Sequence, residues 1–237
     1  MLYHDPIFSV KDKTAVITGA SSGLGVTFAQ ILAERGANVV LSARRVENLN
    51  TLKESLDSEN FSSMVAQCDV TESAQVANMF TLAEEKFGRV DILVNNAGQI
   101  AEAGSVPENI TDYMFEQTVK VNLIGLWYCC KEGGRRMLGD GRGGSIINLS
   151  SVAGLNGMRG MPAAYQATKG AVTTLTKSLA ANWADRGVRV NAIAPGWFPS
   201  EMTGAWVKKG MFLDHISANS PMGRIGKPEE LAGALLL

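Results

Sequence analysis

The sequence is poor in the residues that build metal sites, histidine-based catalysis and disulfide frameworks. Its 237 residues include two histidines and three cysteines. His4 and His215 have no second histidine or cysteine at metal-ligand spacing, which excludes a zinc site and a Ser-His-Asp triad. Cys68, Cys129 and Cys130 are too few for a disulfide framework, so we expect buried thiols of a reducing compartment. We predict no bound metal.

Strong net charge and long apolar runs are also missing. The formal net charge is -1 and 19% of residues are charged, which argues against a nucleic-acid surface. No run approaches the ~18 apolar residues that a membrane span needs, and residues 1–13 contain no apolar segment of a secretory signal. We therefore predict neither a nucleic-acid nor a membrane partner, and we expect a cytoplasmic protein.

Short apolar runs alternate with helix-length segments along the chain. Continuously apolar strands joined by helical crossovers predict a parallel sheet with helices on both faces. The chain length suits a single doubly wound α/β domain over residues 1–237. The irregular stretch that follows the last run predicts a lid over a site, at about 196–228. The predicted strands are Thr14–Thr18, Val39–Ser42, Ser63–Ala66, Ile92–Asn95, Ser145–Leu149 and Arg189–Ala194.

A glycine-rich turn, T-G-A-S-S-G-L-G, follows the first predicted strand and opens a helical segment. Glycines in such a turn let the backbone approach a pyrophosphate, which then meets the positive end of the helix. The position directly after the first strand favours a dinucleotide site over a simple turn. We expect contacts from Gly19, Ser21, Ser22, Gly23, Leu24 and Gly25.

The end of the second predicted strand indicates which dinucleotide binds. Ala43 stands where many dinucleotide enzymes carry a carboxylate for the adenosine ribose, and Arg44 follows it. A guanidinium without a neighbouring carboxylate favours a 2′-phosphate, so NADP(H) is predicted over NAD(H). The alternative is that Arg44 and Arg45 form a solvated surface pair, which leaves the preference open. Ser22, where NADP enzymes often have a basic residue, gives no second indication.

A tyrosine and a lysine lie four residues apart, at positions 165 and 169, after Ser151. On a helix this spacing puts both side chains on one face. A cation beside a phenol lowers its pKa from a value near ~10. A poised phenol can exchange a proton with a substrate oxygen, while a serine hydroxyl hydrogen-bonds the same oxygen. Tyr165, Lys169 and Ser151 are therefore candidate catalytic residues.

Further motifs occur in order: C-D-V at 68–70, N-N-A-G at 95–98, V-N-L-I-G around Asn122, and P-G at 195–196. With the glycine-rich turn, they make the chain resemble the short-chain dehydrogenase/reductase family. It looks most like the 3-oxoacyl-[acyl-carrier-protein] reductase-like and gluconate 5-dehydrogenase-like members. The resemblance implies a Rossmann-type fold and a catalytic tetrad of Asn122, Ser151, Tyr165 and Lys169.

The resemblance also implies a role for each residue. Tyr165 is the general acid in reduction, Ser151 steadies the substrate oxygen, and Lys169 binds the nicotinamide ribose while lowering the pKa of the phenol. Asn122 holds a water of the proton relay. Ser150, next to Ser151 on a strand of period two, is expected to face away. The further cofactor contacts that the family implies are Asp69, Val70, Asn95, Ala97, Gly98, Pro195, Gly196 and Ser200.

The implied activity is hydride transfer between NADP(H) and a ketone or secondary alcohol carbon. A possible apolar lip over the substrate favours a 3-oxoacyl thioester or another hydrophobic ketone, although the same side chains are also typical of a core or an interface. A sugar or polyol dehydrogenase and a non-catalytic NADPH-binding sensor are the alternatives. The lip residues are Trp197, Phe198, Met202, Trp206, Met211 and Phe212.

Two further expectations come from the same resemblance. In similar enzymes the helix from Tyr165 to Trp183 and the helix that carries Asn122 pack against partner subunits, so we expect a homotetramer or else a homodimer. Relatives also continue through another strand after the A-G-A-L-L-L segment, so we expect the final C-terminal strand to be missing from this sequence.

Overall fold

The computed structural model describes residues 8–201 and 220–237. Within these residues a six-stranded sheet has the order β3-β2-β1-β4-β5-β6, and every strand pair is parallel. Each predicted strand is confirmed to within one residue at either end. The strands are β1 Thr14–Thr18, β2 Asn38–Ala43, β3 Ser63–Gln67, β4 Ile92–Asn95, β5 Gly144–Leu149 and β6 Val188–Ile193.

Helices cover both faces of this sheet, as the doubly wound prediction requires. The α-helices are α1 Leu24–Glu34, α2 Val46–Ser58, α3 Ser73–Phe87, α4 Asp112–Val119, α5 Leu126–Gly139, α6 Ala163–Trp183 and α7 Ala232–Leu236. A π-helical segment, Lys120–Gly125, joins α4 to α5. Short 3₁₀ helices occupy Pro107–Asn109, Val152–Gly154, Ala184–Arg186 and Pro228–Leu231. In the part of the chain that is described, no helix has the length and apolarity needed to cross a membrane.

Successive residues of the central strands supply two separate apolar layers. Ile17 packs with residues of α1, α2 and α7, whereas its neighbour Val16 packs with residues of α3, α5 and α6. All five residues of β1 are buried, because side chains of a strand alternate between faces and both faces are covered. This double burial explains why the strands read as unbroken apolar runs.

The three cysteines are free and buried, as predicted. Burial is the main cause that raises the pKa of Cys68 to about 11 and that of Cys130 to about 12. Burial also raises the pKa of Cys129 well above its usual value. Because the thiolate is the reactive form, these thiols are packing residues rather than nucleophiles.

Candidate active site

A cavity of about 600 Å³ opens at the carboxyl ends of the strands. It lies where the strand order reverses between β1 and β4, the position at which open α/β sheets bind ligands. Ser151, Tyr165 and Lys169 lie on its wall. So do most of the expected cofactor contacts: Gly19, Ser21, Ser22, Gly23, Leu24, Arg44, Asp69, Val70, Ala97, Gly98, Pro195, Gly196 and Ser200.

The glycine-rich turn has no room for side chains at two of its positions, Gly19 and Gly25. A Cβ on Gly25 would lie 2.3 Å from the Gly19 carbonyl oxygen, and one on Gly19 would lie 2.8 Å from the Ala97 Cα. Gly19 also has a φ of +68°, which side chains disfavour. The turn thus exposes backbone at the start of α1, a site suited to a phosphate group. The residues present therefore fit a dinucleotide.

Two expected cofactor contacts lie off the cavity wall. Gly25 lies beneath the turn, packed on Gly19 as described. Asn95 is buried, and its Nδ2 donates to Asn148 Oδ1 at 2.9 Å and to Cys130 Sγ at 3.2 Å. The side chain of Asn95 therefore does not reach the cavity wall, and a contact of this residue with the cofactor stays a prediction. Asn96, one residue later, lies on the wall instead.

Asn96 is a site residue that the sequence analysis missed. Its Nδ2 donates to the carbonyl oxygens of Thr18 and Gly19, both at 3.1 Å. The Thr18 hydroxyl in turn accepts from the backbone N–H groups of Asn96 and Ala97 at 3.2 and 3.1 Å. These bonds lock the glycine-rich turn to the end of β4. The second asparagine of the N-N-A-G motif could have identified this residue from the sequence.

The two arginines after β2 have different environments. Within the described residues the Arg44 guanidinium makes no hydrogen bond or ion pair, although Arg44 lies on the cavity wall. Arg45 Nη2 instead bonds the Ser22 hydroxyl and a Glu201 carboxylate oxygen, both at 2.9 Å. Hydrogen bonding to Arg45 is the main cause that lowers the pKa of Glu201. The two arginines are therefore not a uniformly solvated pair, and of the two only Arg44 has a guanidinium without a hydrogen-bond partner among residues 8–201 and 220–237. Neither Arg45 nor Glu201 was singled out for the site.

The loop after β3 forms another part of the cavity wall, with Asp69 and Val70. Asp69 Oδ1 accepts from the Thr71 backbone N–H at 3.0 Å and from its hydroxyl at 2.8 Å. Val70 packs against Gly125, where a Cβ would meet the valine side chain at 2.7 Å. The carboxylate of Asp69 thus fixes the loop, and Val70 contributes an apolar part of the wall.

The catalytic candidates come together from two elements. Ser151 follows β5, and its Oγ accepts from the Ala153 N–H at 3.1 Å. Tyr165 and Lys169 lie one turn apart on α6, and the lysine Nζ is 5.6 Å from the centre of the tyrosine ring. The Nζ also donates to the Leu149 carbonyl oxygen at 2.6 Å. Lys169 is almost fully buried. The Leu149 carbonyl oxygen, at the carboxyl end of β5, therefore replaces part of the water that would solvate the ammonium group.

The pKa shifts at this cluster differ from the sequence expectation. Burial raises the pKa of Tyr165, and the hydrogen bond with Ser151 opposes that rise. The expected lowering by Lys169 is not seen, because the net direction is upward and the lowering partner is the serine. Burial lowers the pKa of Lys169 to about 8. At neutral pH the tyrosine is therefore protonated and the lysine charged, which suits donation of a proton to a substrate oxygen.

The adjacent serines have different hydrogen-bond partners, although both border the cavity. The Ser150 hydroxyl is 2.9 Å from the Lys169 carbonyl oxygen and 2.8 Å from the Thr173 hydroxyl. Its hydroxyl therefore holds α6 against β5. Ser151 is the serine that opposes the rise in the pKa of Tyr165.

Asn122 lies next to the cluster but not on the cavity wall. Its side chain is buried in the π-helical segment and bonds the backbone of Gln99 twice, from Nδ2 to the carbonyl oxygen at 2.9 Å and from the Gln99 N–H to Oδ1 at 2.8 Å. Nδ2 also lies 3.4 Å from the Thr168 hydroxyl. The amide thus holds the loop after β4, and its role in a proton relay stays a prediction.

The predicted lid is described only at its two ends. Phe198 lines the cavity and also packs on the core, where a Cβ on Gly226 would lie 2.3 Å from its ring. The Trp197 carbonyl oxygen accepts from the Gly226 N–H at 2.8 Å. The other lip candidates lie outside the described residues: Met202, Trp206, Met211 and Phe212.

Comparisons with known proteins agree with this geometry. The family profile described as short chain dehydrogenase matches residues 13–210. Gluconate 5-dehydrogenase of Gluconobacter oxydans is 36% identical over 231 residues, which cover 98% of this chain and 89% of that protein. The 3-oxoacyl-[acyl-carrier-protein] reductase of Homo sapiens is 34% identical over 225 residues, which cover 95% and 90%.

A solved structure extends the likeness to three dimensions. The crystal structure of a gluconate 5-dehydrogenase from Burkholderia cenocepacia in complex with NADP and tartrate superposes with a TM-score of 0.91 at 36% identity, covering 98% of this chain and 90% of that one. Fold, site and relatives together define an oxidoreductase of the Rossmann type. The chain belongs to the short-chain dehydrogenase/reductase family, whose members act on alcohol and ketone groups.

Proposed function

We propose that the protein is an NADP(H)-dependent oxidoreductase that interconverts a ketone and a secondary alcohol, with Tyr165 as the general acid and base. The observation that carries the proposal is that Ser151, Tyr165 and the buried Lys169 lie on the wall of the same cavity as the glycine-rich turn, with Tyr165 and Lys169 one turn apart on α6. The intact cluster argues against a non-catalytic NADPH sensor.

The protein groups have separate tasks in this proposal. When bound, the nicotinamide supplies or accepts the hydride. Tyr165 gives its proton to the carbonyl oxygen during reduction and takes it back during oxidation. The Ser151 hydroxyl donates a hydrogen bond to the same oxygen and stabilises its developing negative charge. Lys169 binds the nicotinamide ribose through its ammonium group. Asn122 holds the loop that borders this cluster and orders a water of the relay.

The preference for NADP(H) rests on the rim of the cavity after β2. Ala43 brings no carboxylate to the position of the adenosine ribose, and the Arg44 guanidinium is uncommitted within the described residues. A 2′-phosphate would gain charge-assisted hydrogen bonds there. The NADP complex of the Burkholderia relative is consistent with this choice.

The favoured substrate is a 3-oxoacyl thioester or another hydrophobic ketone. The described wall contains apolar side chains from the loop after β4, from the π-helical segment and from the start of the lid, namely Ile100, Ala103, Val121 and Phe198. The reductase from Homo sapiens supports the same class. A sugar acid or polyol is the second candidate, because two relatives at 36% identity are gluconate 5-dehydrogenases.

Assembly and location belong to the same proposal. Tyr113, Ile124 and Trp127 are large apolar side chains that are exposed on or beside α4 and α5. Burial of such a surface against a second copy favours a homotetramer, or else a homodimer. We place the enzyme in the cytoplasm, where the free thiols would stay reduced.

The test is oxidation of NADPH and NADH by the purified protein with 3-oxoacyl thioesters, ketoses, keto acids and hydrophobic ketones. We expect turnover with NADPH and one of these groups. Tyr165→Phe keeps the ring and removes the hydroxyl, so kcat should fall at least about 10³-fold while NADPH binding, measured by fluorescence titration, stays within about twofold. Turnover that survives in Tyr165→Phe would contradict the mechanism.

A further inference from the structure

The backbone of Tyr165 is held by a buried acidic residue that the family motifs do not include. Glu102 follows the N-N-A-G segment, and its side chain is fully buried. Its Oε1 accepts from the Tyr165 backbone N–H at 2.8 Å. Its Oε2 accepts from the Thr118 hydroxyl of α4. Among the described residues no arginine or lysine forms an ion pair with it, so its partners are hydrogen-bond donors alone.

This contact supplies a cap that helix α6 otherwise lacks. The helix begins after Pro162, which has no side-chain cap, and Tyr165 is the third helical residue. The N–H of that residue is one of the four at a helix start that have no partner within the helix. A carboxylate there satisfies the donor and interacts favourably with the helix dipole. Glu102 thus caps α6 from a distant part of the chain.

The same network holds the other side of the Tyr165 backbone. The Thr168 hydroxyl donates to the Tyr165 carbonyl oxygen at 2.9 Å, and Asn122 lies within 3.4 Å of that hydroxyl. Thr118 also accepts from the Ala101 N–H at 3.0 Å, which fixes the loop that carries Glu102. The first turn of α6 is therefore tied to α4 and to the π-helical segment at the residue that bears the phenol.

We infer that Glu102 is a positioning residue for Tyr165: its carboxylate, braced by Thr118, fixes the first turn of α6 so that the phenol stays aligned with Ser151. The inference rests on the proposed function, because it assigns Glu102 to the same proton transfer. A shift of about 1 Å in a reacting group can cost about 10²-fold in rate. Loss of the cap should therefore lower kcat more than it changes substrate or cofactor binding.

The experiment compares Glu102→Met with Glu102→Gln. Methionine fills the space but accepts no comparable hydrogen bond, so kcat should fall about 10- to 100-fold, with KM changed by less than about threefold. Glutamine keeps an acceptor for the Tyr165 N–H and an amide for Thr118, so kcat should return to within about threefold of wild type. If Glu102→Gln were as slow as Glu102→Met, the cap would not be the cause and the inference would be overturned.

A matched control separates positioning from general stability. Thr111 caps α4 by accepting from the Met114 N–H at 3.2 Å, and Thr111→Ala removes a cap of the same kind. Both Thr111→Ala and Glu102→Met should lower Tm, but only Glu102→Met should lower kcat and speed amide hydrogen exchange at residue 165. An equal kcat in the two variants would overturn the inference.

Two further outcomes are distinguishable. If Glu102→Met does not fold, Glu102→Asp keeps the carboxylate but withdraws it by one methylene, and the same fall in kcat is expected. A wild-type kcat in that variant would overturn the inference.

If the wild-type protein turned over no carbonyl at all, the proposed function would fail instead. An active wild type with an unchanged Glu102→Met would reject the role of Glu102 alone.

Discussion

The two sides of the cavity are built in different ways. The side formed by the β1–α1 turn offers backbone and space, since a Cβ on Gly19 or Gly25 would collide with neighbouring backbone. Arg44, which borders this side, is exposed. The side formed by β5 and α6 offers buried side chains, and burial shifts the pKa values of Tyr165 and Lys169 in opposite directions.

The proposed function assigns a different task to each side. A pyrophosphate is held by N–H groups that every residue has, so recognition there depends on the absence of side chains. Proton transfer depends on groups whose pKa values are tuned by desolvation and by specific partners. Changes on the turn side should therefore alter cofactor affinity, whereas changes on the β5–α6 side should alter kcat or the pH dependence of stability.

The largest of the remaining effects is expected at Ser151. Ser151→Ala should lower kcat by about 10²-fold, because it removes a hydrogen-bond donor from the substrate oxygen. Ser150→Ala is the matched control, since Ser150 bonds Lys169 and Thr173 of α6 instead. It should lower Tm while kcat stays within about threefold. Steady-state kinetics of both variants would check this. A larger fall in kcat for Ser150→Ala than for Ser151→Ala would mean that Ser150, and not Ser151, acts on the substrate oxygen.

A smaller effect is expected on stability at Lys169. Its pKa falls from 10.5 to about 8 on folding, so between these values the unfolded chain holds a proton that the folded chain has released. Stability from this group therefore rises with pH through that window and is lowest below it. From pH 7 to 9.5 the free energy of unfolding of wild type should rise by about 2 kcal/mol more than that of Lys169→Met.

Urea unfolding of both proteins at the two pH values measures this difference directly. The comparison cancels the titration of the buried cysteines, which both proteins share. Lys169→Met should also lose activity while remaining folded. Parallel pH profiles for the two proteins would mean that the Lys169 side chain is not desolvated as the structure indicates.

The smallest effect is expected on the turn side, at the exposed arginines. Arg44→Ala should raise KM for NADPH by about tenfold and leave KM for NADH within about twofold, because a charge-assisted contact with the 2′-phosphate is lost. Arg45→Ala is the control, since Arg45 already bonds Ser22 and Glu201. It should change both constants about equally. An equal change for both cofactors in Arg44→Ala would remove Arg44 as the phosphate-binding residue.

Local patterns were sufficient for most of the architecture and for part of the site. The strands could be predicted because burial on both faces requires unbroken apolar runs, as in β1. Tyr165 and Lys169 could be paired because helical spacing fixes their relative positions. Arg44 could be named as a candidate from the sequence. The different environment of Arg45 could not be predicted, because it depends on contacts with Ser22 and with the distant Glu201.

The sequence by itself determined the order of the elements and the family, since these follow from periodicity and from motifs along the chain, and it predicted the residues that are proposed to carry the chemistry. The tertiary structure alone decided that Asn95 faces the core, that burial raises the pKa of Tyr165, and that Glu102 caps its helix. The physical reason is that desolvation and hydrogen bonding depend on neighbours that are distant in sequence, such as Glu102 and Tyr165, which are separated by 63 residues in the numbering.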